Sequence, residues 1–448
     1  MTRKPSIWRR FSPYQLLLFG YAVITLTGAL LLSLPVSSAH GTSQPFLDAL
    51  FLATSGISTT GLSVVDIGSY YSVFGQIVLL IIFQIGGIGY MTFVIIMMYL
   101  LGIRGSIRTS LAARESLAGS DLQVVRPFLI DVLRYTAIFE GAGALMLTLF
   151  WMKEYPFLHS VYLGIFHSVS AFCTAGFCLF PDSVVRYQHS YIMNGTIIGL
   201  SLAGGVGFFV LRSVKVFLFN GTKRRRMVRL TAHTKIVLTT TALLVAAGTA
   251  VIFVSEDWPD VMDGRDAAAA SFFQAVSAST TDGFNSIDIG EMSAPSLTTI
   301  MFLMFIGASP GSTGGGIKTT TFALLLILLW ARFHKKENNV FGREISEKCV
   351  YDAIVVFLSF LMLAFLDTLI LSVTESASYS QVMFEIFSAL GNTGLSTGIT
   401  TALSPTGKLV LIITMFVGRV GILMIASAIL VKPKKTLFRY PKEDIFIG

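Results

Sequence analysis

The sequence predicts an all-α integral membrane protein of four repeated units, each a long helix, a short re-entrant helix and a second long helix. Three observations carry this fold class. Of 448 residues, 53% are hydrophobic and 13% charged, and mean hydropathy is positive, which fits a polytopic membrane protein and not one or two soluble domains. Eight long apolar runs alternate with four short ones. One glycine motif returns about every 110 residues.

A spanning helix needs about 20 mostly apolar residues, whereas runs of about 10 to 14 are more often re-entrant or buried. Eight runs are long enough: 14–34, 73–101, 128–152, 191–220, 234–254, 297–330, 350–373 and 408–431. Four are not: about 46–58, 161–173, 268–279 and 380–391. The order long, short, long repeats four times, giving eight transmembrane helices and four re-entrant loops. The run from Tyr14 to Leu34 follows the basic "MTRKPSIWRR" without a small-residue cleavage pattern, so it reads as a retained first span. The expected organisation is a tail (1–13), unit 1 (14–101), a linker (102–127), unit 2 (128–220), a basic linker (221–233), unit 3 (234–330), a linker (331–349), unit 4 (350–431) and a tail (432–448).

Charge orients the spans. With eight of them, Arg104, Arg108, Arg114, "KRRRMVR" at 223–229, "RFHKK" at 332–336 and "KPKK" at 432–435 share one side with both ends of the chain. The opposite side carries Lys153, Arg186, Arg265 and Lys408 against a larger set of acids, among them Glu256, Asp257, Asp260, Asp263, Asp266, Asp288 and Glu291. The positive-inside rule therefore places both termini in the cytoplasm. The net charge of +8 reports topology and contact with anionic lipid, and nucleic acid is not an expected partner. Three cysteines, Cys173, Cys178 and Cys349, form neither a disulfide framework nor a metal-ligand spacing; buried thiols are expected at Cys173 and Cys178.

Aligned on one glycine, the short segments read "FLATSGISTTGLSV", "IFHSVSAFCTAGFC", "FFQAVSASTTDGFN" and "IFSALGNTGLST". The glycines are Gly61, Gly176, Gly283 and Gly394, which lie 115, 107 and 111 residues apart. A second echo lies in each unit's later span: "QIGGIGYMTF" at 84–93, "LAGGVGFFVL" at 202–211 and "FVGRVGILMI" at 416–425, with an expanded "GASPGSTGGGIKTTT" at 307–321 in the third unit.

Irregular backbone at membrane depth is tolerated where protein buries it or where it lines a watery cavity. Four units of one polarity fit a pseudo-fourfold arrangement around a single ion pore. Each short helix would stop midway with its C-terminal end at the axis, where the helix dipole favours a cation. The following carbonyls would replace the ion's water, and glycine permits the positive φ and close approach such a turn needs. The expected filter is Thr59, Thr60 and Gly61; Thr174, Ala175 and Gly176; Thr281, Asp282 and Gly283; and Asn392, Thr393 and Gly394. Asp282 either tunes the entrance or caps its own turn.

On these residues the chain resembles the Trk/Ktr/HKT superfamily of potassium transporters, closest in length to the bacterial Ktr membrane subunit. The resemblance implies potassium as substrate in a bacterial plasma membrane, with one filter glycine per unit at Gly61, Gly176, Gly283 and Gly394. Plant relatives with serine at the first position tend to favour sodium, so Gly61 points to potassium. It further implies a homodimer, activation by sodium, and a cytosolic octameric ring of KtrA-type subunits binding ATP or ADP. No organic cofactor is expected in this chain.

The stretch 307–320 has a P-loop-like interval, but Ile317 separates Gly316 from Lys318 and no strand precedes it. Glycine, serine and Pro310 instead disfavour continuous helix there. The resemblance implies an intramembrane gate, assigned to Gly311, Ser312, Thr313, Gly314, Gly315, Gly316 and Lys318 with Arg419; the alternative is a packing kink. An intramembrane arginine is a functional candidate, and Arg419 either faces the pore or pairs with Glu140 or Asp367. Lys318 either joins the gate or reaches the interface. Scattered histidines and no paired carboxylates on one face argue against an enzyme. The four-part repeat of one polarity argues against an alternating-access symporter built on inverted repeats, which stays as the alternative together with a less selective K/Na transporter.

Overall fold

The computed structural model describes residues 13–89, 122–220, 230–259 and 262–429. The far part of the predicted span 73–101, most of the linker 102–127, the "KRRRMVR" run and both basic tails lie outside the described residues. Sixteen α-helices are described. In the first unit α1 is Pro13–Ser33, α2 Phe46–Ile57, α3 Ile67–Tyr70 and α4 Val73–Gly87. In the second, α5 is Leu122–Trp151, α6 Phe157–Phe172, α7 Tyr191–Gly205 and α8 Phe208–Asn220. In the third, α9 is Ala232–Ser255, α10 Gly264–Thr280, α11 Ala294–Ile306 and α12 Thr319–Phe333. In the fourth, α13 is Glu347–Thr374, α14 Tyr379–Gly391, α15 Pro405–Val420 and α16 Ile422–Ile429. A two-residue hairpin, β1 Asn339–Val340 with β2 Arg343–Glu344, joins the last two units.

The long helices are apolar all round and bury only a stripe. Along α13, Ala353, Phe360, Ala364 and Leu371 are buried, while Leu358, Met362, Phe365 and Leu369 are each more than half exposed. An apolar surface of this extent is not stable against water and matches a bilayer. Three helices, α5 from Phe128, α9 and α13, are each long and apolar enough to cross a membrane alone.

Two predicted spans are not single helices. The run 191–220 bends by 98° between α7 and α8, and 408–431 bends by 91° between α15 and α16. Gly207 at φ +91° and Gly421 at φ +82° occupy the two breaks. The run 297–330 is likewise divided, into α11 and α12, by the helix-free stretch from Gly307 to Lys318.

Polar side chains fix where the later helices of the units begin. Ser72, Ser190 and Ser404 start α4, α7 and α15 by accepting from Gly75, Met193 and Gly407 backbone N–H groups, the usual N-cap service to an otherwise orphaned donor. Glu256, one of the acids that the charge pattern groups together, accepts from both the N–H (3.0 Å) and the hydroxyl (2.8 Å) of Ser293, just ahead of α11. Glu375 does the same for Ser404. In both units the carboxylate after the first long helix thereby holds the start of the second.

Candidate functional site

The short helices α2, α6, α10 and α14 end alike. Two residues before each glycine the backbone turns left-handed, at Thr59 (φ 51°), Thr174 (φ 50°), Thr281 (φ 57°) and Asn392 (φ 54°). The N–H of each of these bonds back three residues, to Gly56, Ala171, Ala278 and Ala389. The next N–H, of Thr60, Ala175, Asp282 or Thr393, bonds back five residues to Ser55, Ser170, Ser277 or Ser388 at 2.8–2.9 Å. This is a Schellman cap four times over. Three of the four left-handed residues are threonine, for which positive φ stores of order 1–3 kcal/mol.

The serine that supplies the carbonyl lies six residues before the glycine in every unit, and its side chain serves the same turn. Ser55 and Ser388 hydroxyls accept from the Gly61 and Gly394 N–H groups at 3.1 and 3.0 Å. Ser170 and Ser277 donate to the carbonyls of Phe177 and Phe284 at 2.8 and 2.6 Å. Sequence reasoning missed these serines, although all four stand in register once the segments are aligned.

Each glycine is pressed against the carbonyl before the next glycine. A Cβ on Gly61 would lie 2.6 Å from Ala175 O, one on Gly176 2.7 Å from Asp282 O, one on Gly283 2.2 Å from Thr393 O, and one on Gly394 2.1 Å from Thr60 O. The contacts run from the first turn to the second, third and fourth and back to the first. The twelve expected residues are thus brought together, and all except the three half-buried glycines 61, 176 and 394 are buried. Asp282, weighed as tuning the entrance or capping its own turn, accepts with its carboxylate from Ser201 on α7 at 2.5 Å.

The second echo has a packing cause. A Cβ on Gly86, Gly204 or Gly418 would collide with the carbonyl of Ile57, Phe172 or Leu390, at 2.3, 2.1 and 2.3 Å. Each of those carbonyls lies four residues before its own unit's glycine. Gly87 and Gly205 press instead on the following unit, against Cys173 and Thr280. Gly314 and Gly315 take these two places in the third unit, against Thr280–Thr281 and Asn392 respectively. Arg419 stands where Gly87 and Gly205 stand.

The stretch 307–318 lies against the left-handed residues. Gly315 N–H donates to Thr281 Oγ1 at 3.2 Å. Thr313 is the junction: its N–H donates to Gly204 O at 3.2 Å, its carbonyl accepts from Thr59 Oγ1 at 3.1 Å, and its hydroxyl is 3.1 Å from that of Thr174. Arg419 donates from Nη1 to the same Thr313 carbonyl and from Nη2 to that of Gly86. Lys318 turns back on its own loop, donating to Gly314 O (2.7 Å) and Gly315 O (3.0 Å). Gly311 is exposed, with its carbonyl accepting from Phe208 N–H at 2.9 Å, and Ser312 is half-buried. Gly316 is buried at φ +78°. Of the two acids weighed as partners for Arg419, Glu140 accepts from Gln84 Nε2 at 3.0 Å and Asp367 from Thr414 at 2.6 Å. Cys173 is a buried free thiol and Cys178 a half-buried one.

Chemically, the arrangement offers backbone oxygen, not a nucleophile with a base. Among the described residues no cluster of histidine, cysteine, aspartate and glutamate could hold a metal ion.

Comparison with known proteins agrees. Residues 20–440 match the family model TrkH, described as a cation transport protein. The chain is 36% identical over 446 residues to Ktr system potassium uptake protein B of Bacillus subtilis, covering 98% of each. It is 34% identical over 455 residues to the potassium/sodium uptake protein NtpJ of Enterococcus hirae, covering 99% of each. The fold resembles the crystal structure of the potassium transporter TrkH from Vibrio parahaemolyticus, with a TM-score of 0.71 over 93% of this chain and 84% of that one at 20% identity. This multi-pass membrane protein belongs to the TrkH family of cation transport proteins.

Proposed function

We propose that the chain is the membrane subunit of a potassium uptake system of the bacterial plasma membrane, conducting through a ring built by four units around one pseudo-fourfold axis. The observation that carries this is the closed cycle of contacts in which each of Gly61, Gly176, Gly283 and Gly394 abuts the carbonyl preceding the next. In this reading those carbonyls, of Thr60, Ala175, Asp282 and Thr393, replace the hydration shell of the ion. The C-terminal ends of the four short helices add negative potential beneath them. The caps bind the last helical carbonyls, and the serines keep the turns from relaxing. Both termini face the cytoplasm, following the positive-inside rule.

The loop 307–318 is the gate in this reading, held closed beneath the ring by Arg419 and Thr313. Its control falls to a cytosolic KtrA-type ring that binds ATP or ADP, a reading supported by the "Ktr system" in the name of the Bacillus relative. A homodimer and activation by sodium belong to the same proposal. A second reading, a transporter that accepts sodium nearly as well as potassium, is favoured by the name of the Enterococcus relative.

The test is rubidium and sodium uptake by a potassium-uptake-deficient bacterial strain expressing the chain with and without a KtrA-type partner. Partner-stimulated rubidium uptake whose preference over sodium falls in Gly61→Ser supports the ring. Comparable rubidium and sodium uptake in the wild type favours the second reading. No cation flux in any arrangement, with the protein verified in the membrane, overturns both.

A further inference from the structure

Nine residues before each filter glycine, the short helices carry Leu52, His167, Gln274 and Glu385. All four are fully buried. One place in the repeat thus holds an apolar side chain, an imidazole, an amide and a carboxylate, and the buried carboxylate is the most demanding of solvation.

The two ionisable members do the same thing. Glu385 Oε1 on α14 accepts from Ser396 Oγ at 3.2 Å and from Thr400 Oγ1. Ser396 lies two residues beyond Gly394, on the segment leaving the filter, and is itself 3.0 Å from Thr400 Oγ1. His167 on α6 places Nδ1 2.8 Å from Leu163 O, which puts the proton there and leaves Nε2 as the acceptor. Nε2 accepts from Leu179 N–H at 3.3 Å and lies 3.2 Å from Cys178 Sγ. Cys178 is again two residues beyond its glycine, Gly176. In each case a side chain of the short helix reaches past the filter turn and grips the segment that leaves it. Leu52 has no such capacity, and Gln274 has no hydrogen-bond partner for either amide atom among the described residues.

We propose that Glu385 and His167 are positioning residues that hold the outward limbs of the fourth and second filter turns, and so set the discrimination between potassium and sodium. The proposal rests on the filter reading above. The inner end of each turn is fixed four times by the same cap and serine. Among the described residues, the position nine residues before the glycine tethers the outer end in two units only, the second and the fourth. A ring that must match one ion size needs both ends of its carbonyl-bearing segment held, within about 0.5 Å. Removing the Glu385 tether therefore frees the fourth limb without touching a carbonyl of the ring.

Glu385→Leu is the direct test, because Leu52 shows that a leucine packs at this place in the first unit. The full chain, with a KtrA-type partner, is assayed for initial rubidium and sodium uptake at matched membrane levels, beside Glu385→Gln, His167→Leu and Gly394→Ser. The expected result is a fall of about fivefold or more in the rubidium-to-sodium ratio for Glu385→Leu, comparable to the loss of one ordinary hydrogen bond. His167→Leu shifts the ratio in the same direction. Glu385→Gln keeps an oxygen for Thr400 and stays within about twofold of wild type. An unchanged ratio in Glu385→Leu, with Gly394→Ser lowering it, overturns the tether and leaves the filter intact. An unchanged ratio in Gly394→Ser as well overturns the filter reading itself, and the tether with it. Should Glu385→Leu fail to reach the membrane, Ser396→Ala with Thr400→Val removes the donors from the other side. The same fall is then expected, and its absence counts against the proposal.

Discussion

Gly394→Ala is the sharpest single perturbation of the ring. At φ +91° an L-residue is strained, by roughly 1–2 kcal/mol. Its Cβ would stand 2.1 Å from Thr60 O, 2.9 Å from Gly61 Cα and 3.0 Å from Thr60 C. All three are backbone atoms, so no rotamer change relieves the clash. Ordinary contact begins near 3.4 Å, so the Thr60 carbonyl must retreat by more than 1 Å. Overpacking of this kind adds about 1–3 kcal/mol, for a total of roughly 2–5 kcal/mol. A displacement beyond about 0.5 Å exceeds what a preorganised site tolerates. Rubidium uptake should therefore fall at least tenfold, with sodium uptake falling less. Gly199→Ala is the matched control: it is exposed on α7, and a Cβ there meets nothing within 4 Å. Alanine in a helix interior is favoured over glycine by about 1 kcal/mol, so that variant should transport normally. The assay is initial uptake normalised to membrane-inserted protein. Rubidium uptake by Gly394→Ala within twofold of wild type, with an unchanged rubidium-to-sodium ratio, would falsify the claim that this glycine exists for the close approach.

Three further outcomes follow from the same contacts. Arg419→Gln loses charge-assisted hydrogen bonds to the Thr313 and Gly86 carbonyls, of the class worth about 1.5–3 kcal/mol each. Uptake without the partner subunit should then rise about fivefold or more, and equal basal uptake would count against a latch. Gly204→Ala places a Cβ 2.1 Å from Phe172 O and 2.7 Å from Thr313 Oγ1; its midpoint of thermal unfolding in detergent should drop clearly below that of Gly199→Ala, and equal midpoints would remove the packing explanation of the second echo. Lys408 Nζ is 2.6 Å from Asp48 Oδ1, with side chains 15% and 21% exposed. A double-mutant cycle with Lys408→Met and Asp48→Asn should give a coupling of about 1 kcal/mol that shrinks in high salt, whereas additive losses would mean that the pair contributes nothing.

The alternation of long and short apolar runs and the recurring glycine were legible because hydropathy and glycine spacing are written directly in the chain. The short helices described here, Phe46–Ile57, Phe157–Phe172, Gly264–Thr280 and Tyr379–Gly391, sit where the short runs lie. The breaks at Gly207 and Gly421 were not legible: "LAGGVGFFVL" is uninterrupted in hydropathy, and in "FVGRVGILMI" the single Arg419 does not by itself end a helix. At Gly207 the break answers a tertiary demand: the residue packs on the Pro310 carbonyl, 2.8 Å from where its Cβ would be, a contact invisible at a sequence separation of about a hundred residues. At Gly421 a Cβ would meet nothing within 4 Å, and only its positive φ marks the break. The choice between a pore-facing and an acid-paired Arg419 was undecidable for a similar reason. Its described partners are carbonyls, and carbonyls have no sequence signature. The serines six residues ahead of the glycines stand in register in the sequence, but their bracing role shows only where the turn folds back on the helix.

The departures from the repeat converge on one point. Gly86 and Gly87, Gly204 and Gly205, and Gly314 and Gly315 repeat one pair of contacts, with the unit's own short helix and with the next unit's. The fourth unit breaks the rule with Arg419, and the third breaks it by extending its chain from Gly307 to Thr313 ahead of the pair. Both departures end at the Thr313 carbonyl. A ring needs sameness to hold an ion centrally, so the regular elements suit conduction. A plug needs one unit to differ, because four equal loops cannot occupy one axis. In the gate proposed above, the extended loop supplies that difference, and Arg419 supplies a donor that reaches it from the adjoining unit. On this argument Thr313→Gly, which keeps the carbonyl and removes the hydroxyl contact with Thr174, should raise partner-free uptake less than Arg419→Gln does. The reverse order would move the latch from the arginine to the threonine side chain.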